Sequence, residues 1–230
     1  MTEHPHVLLS VATSIDGHID DATPERLLLS NKADFDRVDE VRASVDAILI
    51  GAETVRRDNP RLIVNSEQRR ARRRERGEPE YPLKVTITAS GNLGPDLKFW
   101  HHGGRKLAYT TDAGRTRLRE QLNALPDVEI VSLGPDIDLS ALLDDLATHG
   151  VRRLMVEGGQ HVHTAFLSAG LVDEIHLAIA PLVVGHRDAP RFLGPADYPG
   201  GPTRRMRLAD TRTVGDVVLL RYLPKQESTE

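Results

Sequence analysis

RLMVEGGQ, residues 153–160, is the stretch on which the predicted fold depends. Its apolar run at 154–156 is typical of a short buried strand that ends in one carboxylate and two glycines. Apolar residues then recur at three- and four-residue spacing from Val162 to Ala169, and Gly170 ends the pattern, which predicts a helix. Strand, Gly-Gly and helix indicate either a plain tight turn or a cradle in which first-turn N–H groups bind an anion.

A second stretch, AILIGAETVRRDNPRL at 47–62, repeats this layout. An apolar strand again ends in glycine, and Thr54 is placed to offer a hydroxyl near the start of the following helix. Asn59-Pro60 ends that helix, because proline cannot continue it and restricts the residue before it. Two strand–glycine–helix units favour one long ligand with two charged groups, and a dinucleotide fits that description.

Composition limits the class of protein. The chain has 230 residues, of which 39% are hydrophobic, so we expect one domain over 1–230. The net charge of −4 argues against nucleic acid as the partner of the whole protein. The absence of cysteine excludes disulfides and Cys-based zinc sites. No long apolar run or basic leader is present, so we expect a cytoplasmic protein without membrane contact.

Hydrophobic periodicity predicts an α/β fold. Strands are expected at 7–12, 47–51, 83–88, 107–110, 128–131, 154–156, 172–181, 204–213 and 217–222. Helices are expected at 31–44, after Gly51, at 115–125, at 139–150 and at 160–169. Strands alternate with helices before residue 170 and then follow one another, which predicts a mostly parallel sheet with an antiparallel C-terminal edge hairpin around Gly215.

Three features leave alternatives open. The Asp-Gly turn within 13–19 indicates either a hairpin-like loop or a loop over a ligand. Arg42 falls on the apolar face predicted for Phe35, Val38 and Val41, where a guanidinium needs an anion. That anion is either a structural carboxylate or a ligand phosphate. Residues 66–82 are rich in arginine and glutamate and have no apolar stripe, so we expect a basic surface loop or a frayed helix, with nucleic-acid binding as the less favoured alternative.

The histidines do not predict a metal site. His161 and His163 are two residues apart on the predicted helix, so their side chains diverge and cannot bind one ion from one face. Neither a His-Glu-x-x-His motif nor a Gly-x-Ser-x-Gly motif occurs. We therefore expect no catalytic metal.

Four motifs together resemble one family. They are TSIDG at 13–17, GAETVRRDNPRL at 51–62, EGG at 157–159, and GLVDEI at 170–175 followed by Ala180-Pro181. The combination is similar to the reductase domain of riboflavin biosynthesis, over nearly the whole chain. The resemblance implies the dihydrofolate-reductase-like fold, a three-layer α-β-α arrangement, and a homodimer. It also implies that NADPH reduces the ribosylamino group of a diaminopyrimidinone 5′-phosphate to a ribitylamino group.

The resemblance assigns roles position by position. Glu157 falls on the catalytic position and also contacts the substrate. The other substrate-contacting positions are Arg42, Leu62 and Asn65. The cofactor-contacting positions are Thr13, Thr54, Asp58, Ser90, Gly158, Gly159, Gln160, His161, Val162, His163 and Thr164.

The chain departs from the family pattern at two positions. Asn65 stands where bifunctional relatives usually have arginine, which weakens the expected phosphate clamp, and Arg69 and Arg70 are the candidates to replace it. Ser10 stands where those relatives have lysine, which removes a candidate proton donor. The bifunctional relatives also carry a zinc deaminase half with Cys-x-x-Cys ligands. A chain without cysteine is expected to be a stand-alone reductase.

Two other functions fit the same residues. One is a dihydrofolate- or pterin-type reductase, because a fold alone does not set the substrate. The other is a nucleotide-binding regulatory protein that binds the cofactor without turnover.

Overall fold

The computed structural model describes residues 4–23, 25–125, 127–199 and 201–224. The expectation that the chain has no basic leader rests in part on residues 1–3, which lie outside the described residues. The chain divides into two compact units. Within the described ranges, the first unit contains residues 4–5 and 38–155, and the second contains residues 6–37 and 156–224.

Nine strands are described. They are β1 (His6–Thr13), β2 (Ala47–Gly51), β3 (Leu83–Thr88), β4 (Lys106–Thr110), β5 (Val128–Ser132), β6 (Arg153–Val156), β7 (Glu174–Ile179), β8 (Arg207–Val214) and β9 (Val217–Leu223). The helices are α1 (Lys32–Ala43), α2 (Ala52–Asp58), α3 (Glu67–Glu75), α4 (Lys98–His101), α5 (Asp112–Leu122), α6 (Leu139–Thr148) and α7 (Gln160–Ser168), with a 3₁₀ turn at Gly201–Thr203.

The first unit carries strands in the order β5-β4-β3-β2-β6. The pairs from β2 to β5 are all parallel, so the carboxyl ends of β2, β3 and β4 share one edge. Its core includes Ile48, Val55, Leu118 and Met155, all buried. The apolar residues of these strands thus pack against apolar residues of α2 and α5, as their periodicity predicts.

The second unit carries strands in the order β1-β7-β9-β8. β1 pairs with β7 in parallel, whereas β9 pairs antiparallel with both β7 and β8. The hairpin turns at Gly215, whose φ is 66°. The predicted α/β fold, mostly parallel with an antiparallel C-terminal hairpin, is confirmed.

The caps explain where the helices begin. Asp138 accepts hydrogen bonds from the amides of Ser140 and Ala141 at the start of α6. Thr111 accepts one from the Gly114 amide at the start of α5, three residues before the predicted start at 115. Satisfying first-turn N–H groups in this way fixes each helix start.

Of the two alternatives for 66–82, a basic surface loop or a frayed helix, the structure has a helix over the first half. Glu67–Glu75 forms α3, capped by the Ser66 hydroxyl, which accepts from the Arg69 amide. Arg73 is buried and donates to the carbonyls of Ala43 and Val45. Ion pairs and main-chain acceptors stabilise this helix in place of an apolar stripe.

Two smaller expectations fail. Phe35, assigned above to the apolar face of α1, is 43% exposed. The short helix α4 was not predicted, although its Phe99 and Trp100 are buried and meet edge to face with ring centroids 4.8 Å apart.

Among the described residues, none of the helices combines the length and the hydropathy needed to cross a membrane.

Candidate functional site

Residues 59–66 form an irregular segment in the first unit. Asn59 and Leu62 have φ values of 43° and 50°, the left-handed region that residues with a Cβ rarely adopt. Asn59 is the C-cap of α2, as the Asn-Pro motif predicts. Leu62 is 3% exposed and belongs to the core of this unit. A buried leucine in this conformation persists only where the surroundings determine it strongly.

The structure brings together the three substrate-contacting residues predicted in the first unit. Arg42 is half-buried, and its Nη1 donates to the carbonyl of Ile63 at 3.1 Å. Leu62 precedes Ile63, and exposed Asn65 follows two residues later. The inward direction expected for Arg42 is thus observed, and one of its bonds holds the 59–66 segment.

Asp39 holds the end of the same segment. Its carboxylate accepts hydrogen bonds from the amides of Asn65 and Ser66 at 2.5 and 3.1 Å, and from Arg69 Nη1 at 3.0 Å. Burial opposes ionisation, but these bonds keep the pKa of Asp39 below its ordinary value. Arg70 donates to the carbonyls of Val64 and Asn65. Arg69 and Arg70, considered above as replacements for the missing phosphate arginine, therefore both help to fix the segment.

Thr54 and Ser90 follow strands that end at the same edge of the first unit. Gly51 at the end of β2 pairs with Ile87 near the end of β3. Thr54 and Ser90 lie just beyond these strand ends. Arg56 Nη1 donates to the carbonyl of Asn92 at 2.9 Å, which ties α2 to the Ser90 loop. Parallel strands present ligand-binding loops at their carboxyl ends, and Thr54 and Ser90, two of the predicted cofactor contacts, follow such ends.

Gly91 shapes the Ser90 loop. Its φ is 64°, and a Cβ at this position would lie 2.0 Å from the Gly114 carbonyl oxygen in α5. The loop backbone therefore approaches α5 more closely than any side chain at Gly91 allows. Asp58, the remaining predicted contact of this unit, is half-buried at the end of α2.

In the second unit, Thr13 ends β1 and begins the predicted ligand loop. Thr13 is buried, and its carbonyl accepts from the Ala180 amide at 2.8 Å. Asp16 accepts from the Ser14 hydroxyl and from the amides of Gly185 and Val184. These bonds, the one from Ser14 foremost, hold the pKa of Asp16 well below its ordinary value. The carboxylate thereby fixes the loop after β1 to the one after β7.

The turn between β6 and α7 is built from Glu157, Gly158 and Gly159. Glu157 is half-buried. Gly158 has φ 133°, which requires glycine, and the Gly158–Gly159 peptide is cis. Gly159 is the N-cap of α7, and this helix start has no side-chain cap hydrogen bond. A helix start whose N-cap has no side chain is typical of sites where main-chain N–H groups bind an anion.

The side chains of the α7 start have mixed roles. Gln160 Oε1 accepts from the Arg191 amide, and Thr164 Oγ1 accepts from the Gly194 amide, both at 2.8 Å. His163 is fully buried against Phe192, and burial lowers its pKa to about 4. These three side chains hold the 191–194 loop, whereas His161 is exposed and Val162 half-buried. Any contact of this stretch with a cofactor therefore depends mainly on its backbone.

Gly-capped starts distinguish α2 and α7 from three other helices. α2 begins at Gly51 and α7 at Gly159, in each case without a side-chain cap hydrogen bond. Side chains cap α3, α5 and α6. The two helices predicted to bind the dinucleotide thus share a glycine N-cap.

Sequence reasoning missed two residues that shape the 59–66 segment, Asp39 and Lys84. Lys84 lies within an alternating apolar strand pattern and is 1% exposed. A lysine inside a parallel strand is itself a signal, because such strands are buried on both faces. Asp39 gave no comparable signal, since an acidic residue on a helix is usually solvated.

A cavity of about 1250 Å³ lies elsewhere in the second unit. Its lining includes His6, Leu167, Asp173, Tyr198 and Arg204. The predicted site residues are absent from this lining. Within the described ranges, no group of three or more His, Asp or Glu side chains is arranged to hold a metal ion.

Strand ends followed by Gly-capped helices are typical of α/β proteins that bind phosphorylated ligands. Comparison with known proteins makes the class specific. The RibD C-terminal domain model matches residues 5–220 of the chain. The chain therefore belongs to the RibD C-terminal domain family.

Two relatives are similar over most of their length. The 2,5-diamino-6-ribosylamino-4(3H)-pyrimidinone 5′-phosphate reductase of Archaeoglobus fulgidus is 37% identical over 188 residues, which cover 81% of this chain and 84% of the relative. The protein of the same name from Methanothermobacter thermautotrophicus is 30% identical over 222 residues, covering 96% of this chain and 99% of the relative.

A solved structure confirms the fold. The pyrimidine reductase-like protein of Corynebacterium diphtheriae superposes with a TM-score of 0.77 at 24% identity, covering 97% of this chain and 93% of that one. At this identity the likeness concerns the fold alone. The present chain therefore has the fold that its resemblance to the riboflavin-pathway reductase domain implies.

Proposed function

We propose that this protein is a nicotinamide-dependent reductase of riboflavin biosynthesis. Its substrate would be a diaminopyrimidinone 5′-phosphate whose ribosylamino group becomes a ribitylamino group. The observation that carries the proposal is the 37% identity with the Archaeoglobus fulgidus reductase, spread over 81% of this chain. The matched stretch is most of the chain, so the proposal concerns the whole protein.

The residues fit a dinucleotide. Main-chain N–H groups at the start of a helix bind phosphates well. The nine-residue helix α7 begins with a glycine N-cap, which places no side chain between a ligand and the helix start. Gly158 and Gly159 carry no side chain that would keep a ligand away from the backbone. The two-turn helix α2 contributes chiefly the half-buried hydroxyl of Thr54. Thr13, Asp58, Ser90 and the stretch from Gly158 to Thr164 remain our proposed cofactor contacts.

The cofactor, when bound, supplies a hydride to C1′ of the opened sugar, formally an imine carbon. The protein's task is to orient the substrate. We assign Arg42, Leu62 and Asn65 to the substrate. Leu62 and Asn65 lie in the 59–66 segment, and Arg42 donates to the Ile63 carbonyl within it. Glu157 orients substrate hydroxyls or amines and steers a proton toward the nitrogen as the carbon is reduced. Bifunctional relatives usually have arginine where Asn65 stands and lysine where Ser10 stands. Without these two basic side chains, we assign phosphate binding to Arg42.

Three finer proposals accompany this function. NADPH is preferred over NADH, since Arg56, Arg57 and Ser90 are candidates to receive a 2′-phosphate. The protein is a cytoplasmic homodimer, as the resemblance implies. It does not bind nucleic acid, because most arginines of α3 form ion pairs. Arg70 and Arg74 pair with Glu67 and Glu80, and Arg73 pairs with Glu78.

Purified protein tests the function directly. We expect oxidation of NADPH, followed by nicotinamide absorbance, with the diaminopyrimidinone phosphate and little or none with dihydrofolate or a pterin. NADH in place of NADPH tests the cofactor preference. Turnover of dihydrofolate alone would support the pterin-type alternative, and binding of NADPH without oxidation by any substrate would support a regulatory protein. Light scattering on the same sample measures the oligomeric state.

A further inference from the structure

Lys84, at the start of β3, carries its ammonium group into the interior of the first unit. The residue is 1% exposed, and Nζ donates to three main-chain carbonyls. It bonds Arg61 at 2.7 Å, His102 at 2.8 Å, and Phe99. Nζ also lies 4.5 Å from the centroid of the Phe99 ring. Carbonyl dipoles and an aromatic face thus replace the water that a lysine normally keeps.

These three carbonyls belong to two different pieces of chain. Arg61 lies in the 59–66 segment, whereas Phe99 is in α4 and His102 is its C-cap. Lys84 therefore joins the segment to the carboxyl end of α4. At the other end of α4, Asn59 Oδ1 accepts from the Lys98 amide at 2.7 Å. The segment is docked on α4 at both ends.

Close packing reinforces this joint. Gly103 follows α4 with φ 75°, and a Cβ there would lie 2.9 Å from Ile63 Cγ2 and 3.3 Å from Lys84 Cδ. The loop after α4 therefore packs directly on Ile63 and on the Lys84 stem. The carbonyl that Lys84 holds belongs to Arg61, the residue before Leu62. Fixing the peptide between Arg61 and Leu62 helps to hold Leu62 in its left-handed conformation.

We propose that Lys84 is a positioning residue for the substrate: by holding the Arg61 carbonyl against α4, it keeps Leu62 and the 59–66 segment in the conformation that receives the pyrimidine. The inference rests on the proposed function, in which Leu62 contacts the substrate. Lys84 acts through the Arg61 peptide and takes no part in hydride transfer. Burying a cation is unfavourable. If Lys84 only filled space, replacing it with methionine would therefore not weaken substrate binding.

The test compares Lys84→Met with Lys106→Met. Methionine keeps most of the apolar stem but donates no hydrogen bond. Lys106 pairs with Lys84 across β3 and β4 and is half-buried, so its replacement controls for loss of one positive charge nearby. We expect Lys84→Met to raise KM for the pyrimidine substrate about tenfold, with kcat within about threefold and KM for NADPH unchanged. Lys106→Met should change none of these.

Hydrogen exchange provides a second measurement that needs no turnover. Amides of residues 59–66 should exchange faster in Lys84→Met than in the parent protein, while those of α6 stay unchanged. If the parent protein turns over no substrate, the proposed function fails, yet exchange still tests the role of Lys84. Unchanged exchange at 59–66, an unchanged substrate KM, or equal rises in both KM values would each overturn the positioning role.

A second variant covers the case in which Lys84→Met does not fold. Asn59→Gly keeps the left-handed C-cap accessible but removes the Oδ1 bond to the Lys98 amide, so it loosens the same joint from its other end. We expect a rise in substrate KM of about threefold with kcat retained. A parent-like KM in Asn59→Gly would overturn the inference.

Discussion

Glu157 is the residue on which the proposed chemistry depends. It follows β6 directly, is half-buried, and precedes the two glycines of the β6–α7 turn. Glutamine has nearly the same shape but cannot accept or donate a proton as a carboxylate does. We expect Glu157→Gln to lower kcat roughly a hundredfold, while the Kd of NADPH changes less than about threefold. Steady-state kinetics and fluorescence titration of the cofactor measure the two quantities.

Glu120→Gln serves as the matched control for this prediction. Glu120 is exposed on α5, and its replacement removes the same charge from a solvated position. Its kinetics should equal those of the parent protein. Equal losses of turnover and of NADPH affinity in Glu157→Gln would contradict the assigned role.

At the scale of elements, the β6–α7 turn depends on Gly158. An alanine Cβ would meet His163 Cε1 at 3.5 Å, an ordinary contact, so the cost of Gly158→Ala comes from φ 133° and not from a clash. We expect a loss of about 1–2 kcal/mol in the free energy of unfolding. Because the turn must also change shape, NADPH affinity should fall about tenfold or more, as titration would show.

Gly134 provides the comparison. It has φ 101°, and nothing lies within 4 Å of its Cβ position, so Gly134→Ala introduces similar backbone strain away from the turn. Gly134→Ala should lose stability but keep its NADPH affinity. A Gly158→Ala variant that binds NADPH like the parent would contradict the proposed cradle.

The helix α3 depends on one buried arginine. Arg73 donates to the carbonyls of Ala43, Val45 and Pro79 and is 2% exposed. Arg73→Ala removes these three hydrogen bonds of a buried side chain, so we expect a loss of about 2–4 kcal/mol in chemical denaturation. Arg72→Ala, at an exposed position of the same helix, should cost less than about 1 kcal/mol. Similar losses in the two variants would show that α3 is not held through Arg73.

The order and type of most elements could be predicted from the sequence, because apolar periodicity and caps such as Asp138 are local signals. The sequence did not decide between a loop and a helix for α3, because charged residues at 67–75 are stabilised by partners distant in sequence, such as the carbonyls of Ala43 and Val45. The same limit applies to the candidate site. The Asn59-Pro60 dipeptide predicts a turn, whereas the left-handed Leu62 is part of a core assembled from residues distant in sequence, which no local pattern encodes.

At the scale of the whole molecule, Lys84 makes stability depend on pH. Burial lowers the pKa of Lys84 to about 7 from an ordinary 10.5, and Lys106 and Arg42 act in the same direction. Between these two values the unfolded chain binds a proton that the folded chain has released. The contribution of this group to the free energy of unfolding therefore rises with pH across that window and is flat below and above it.

Comparing the parent protein with Lys84→Met isolates this contribution, because every other titrating group is common to both. The parent's free energy of unfolding minus that of the variant should rise by about 2–3 kcal/mol between pH 6 and pH 9. Urea denaturation at both pH values measures it. A pH-independent difference between parent and Lys84→Met would mean that the buried amine stays charged, so that its carbonyl partners compensate fully for the lost water.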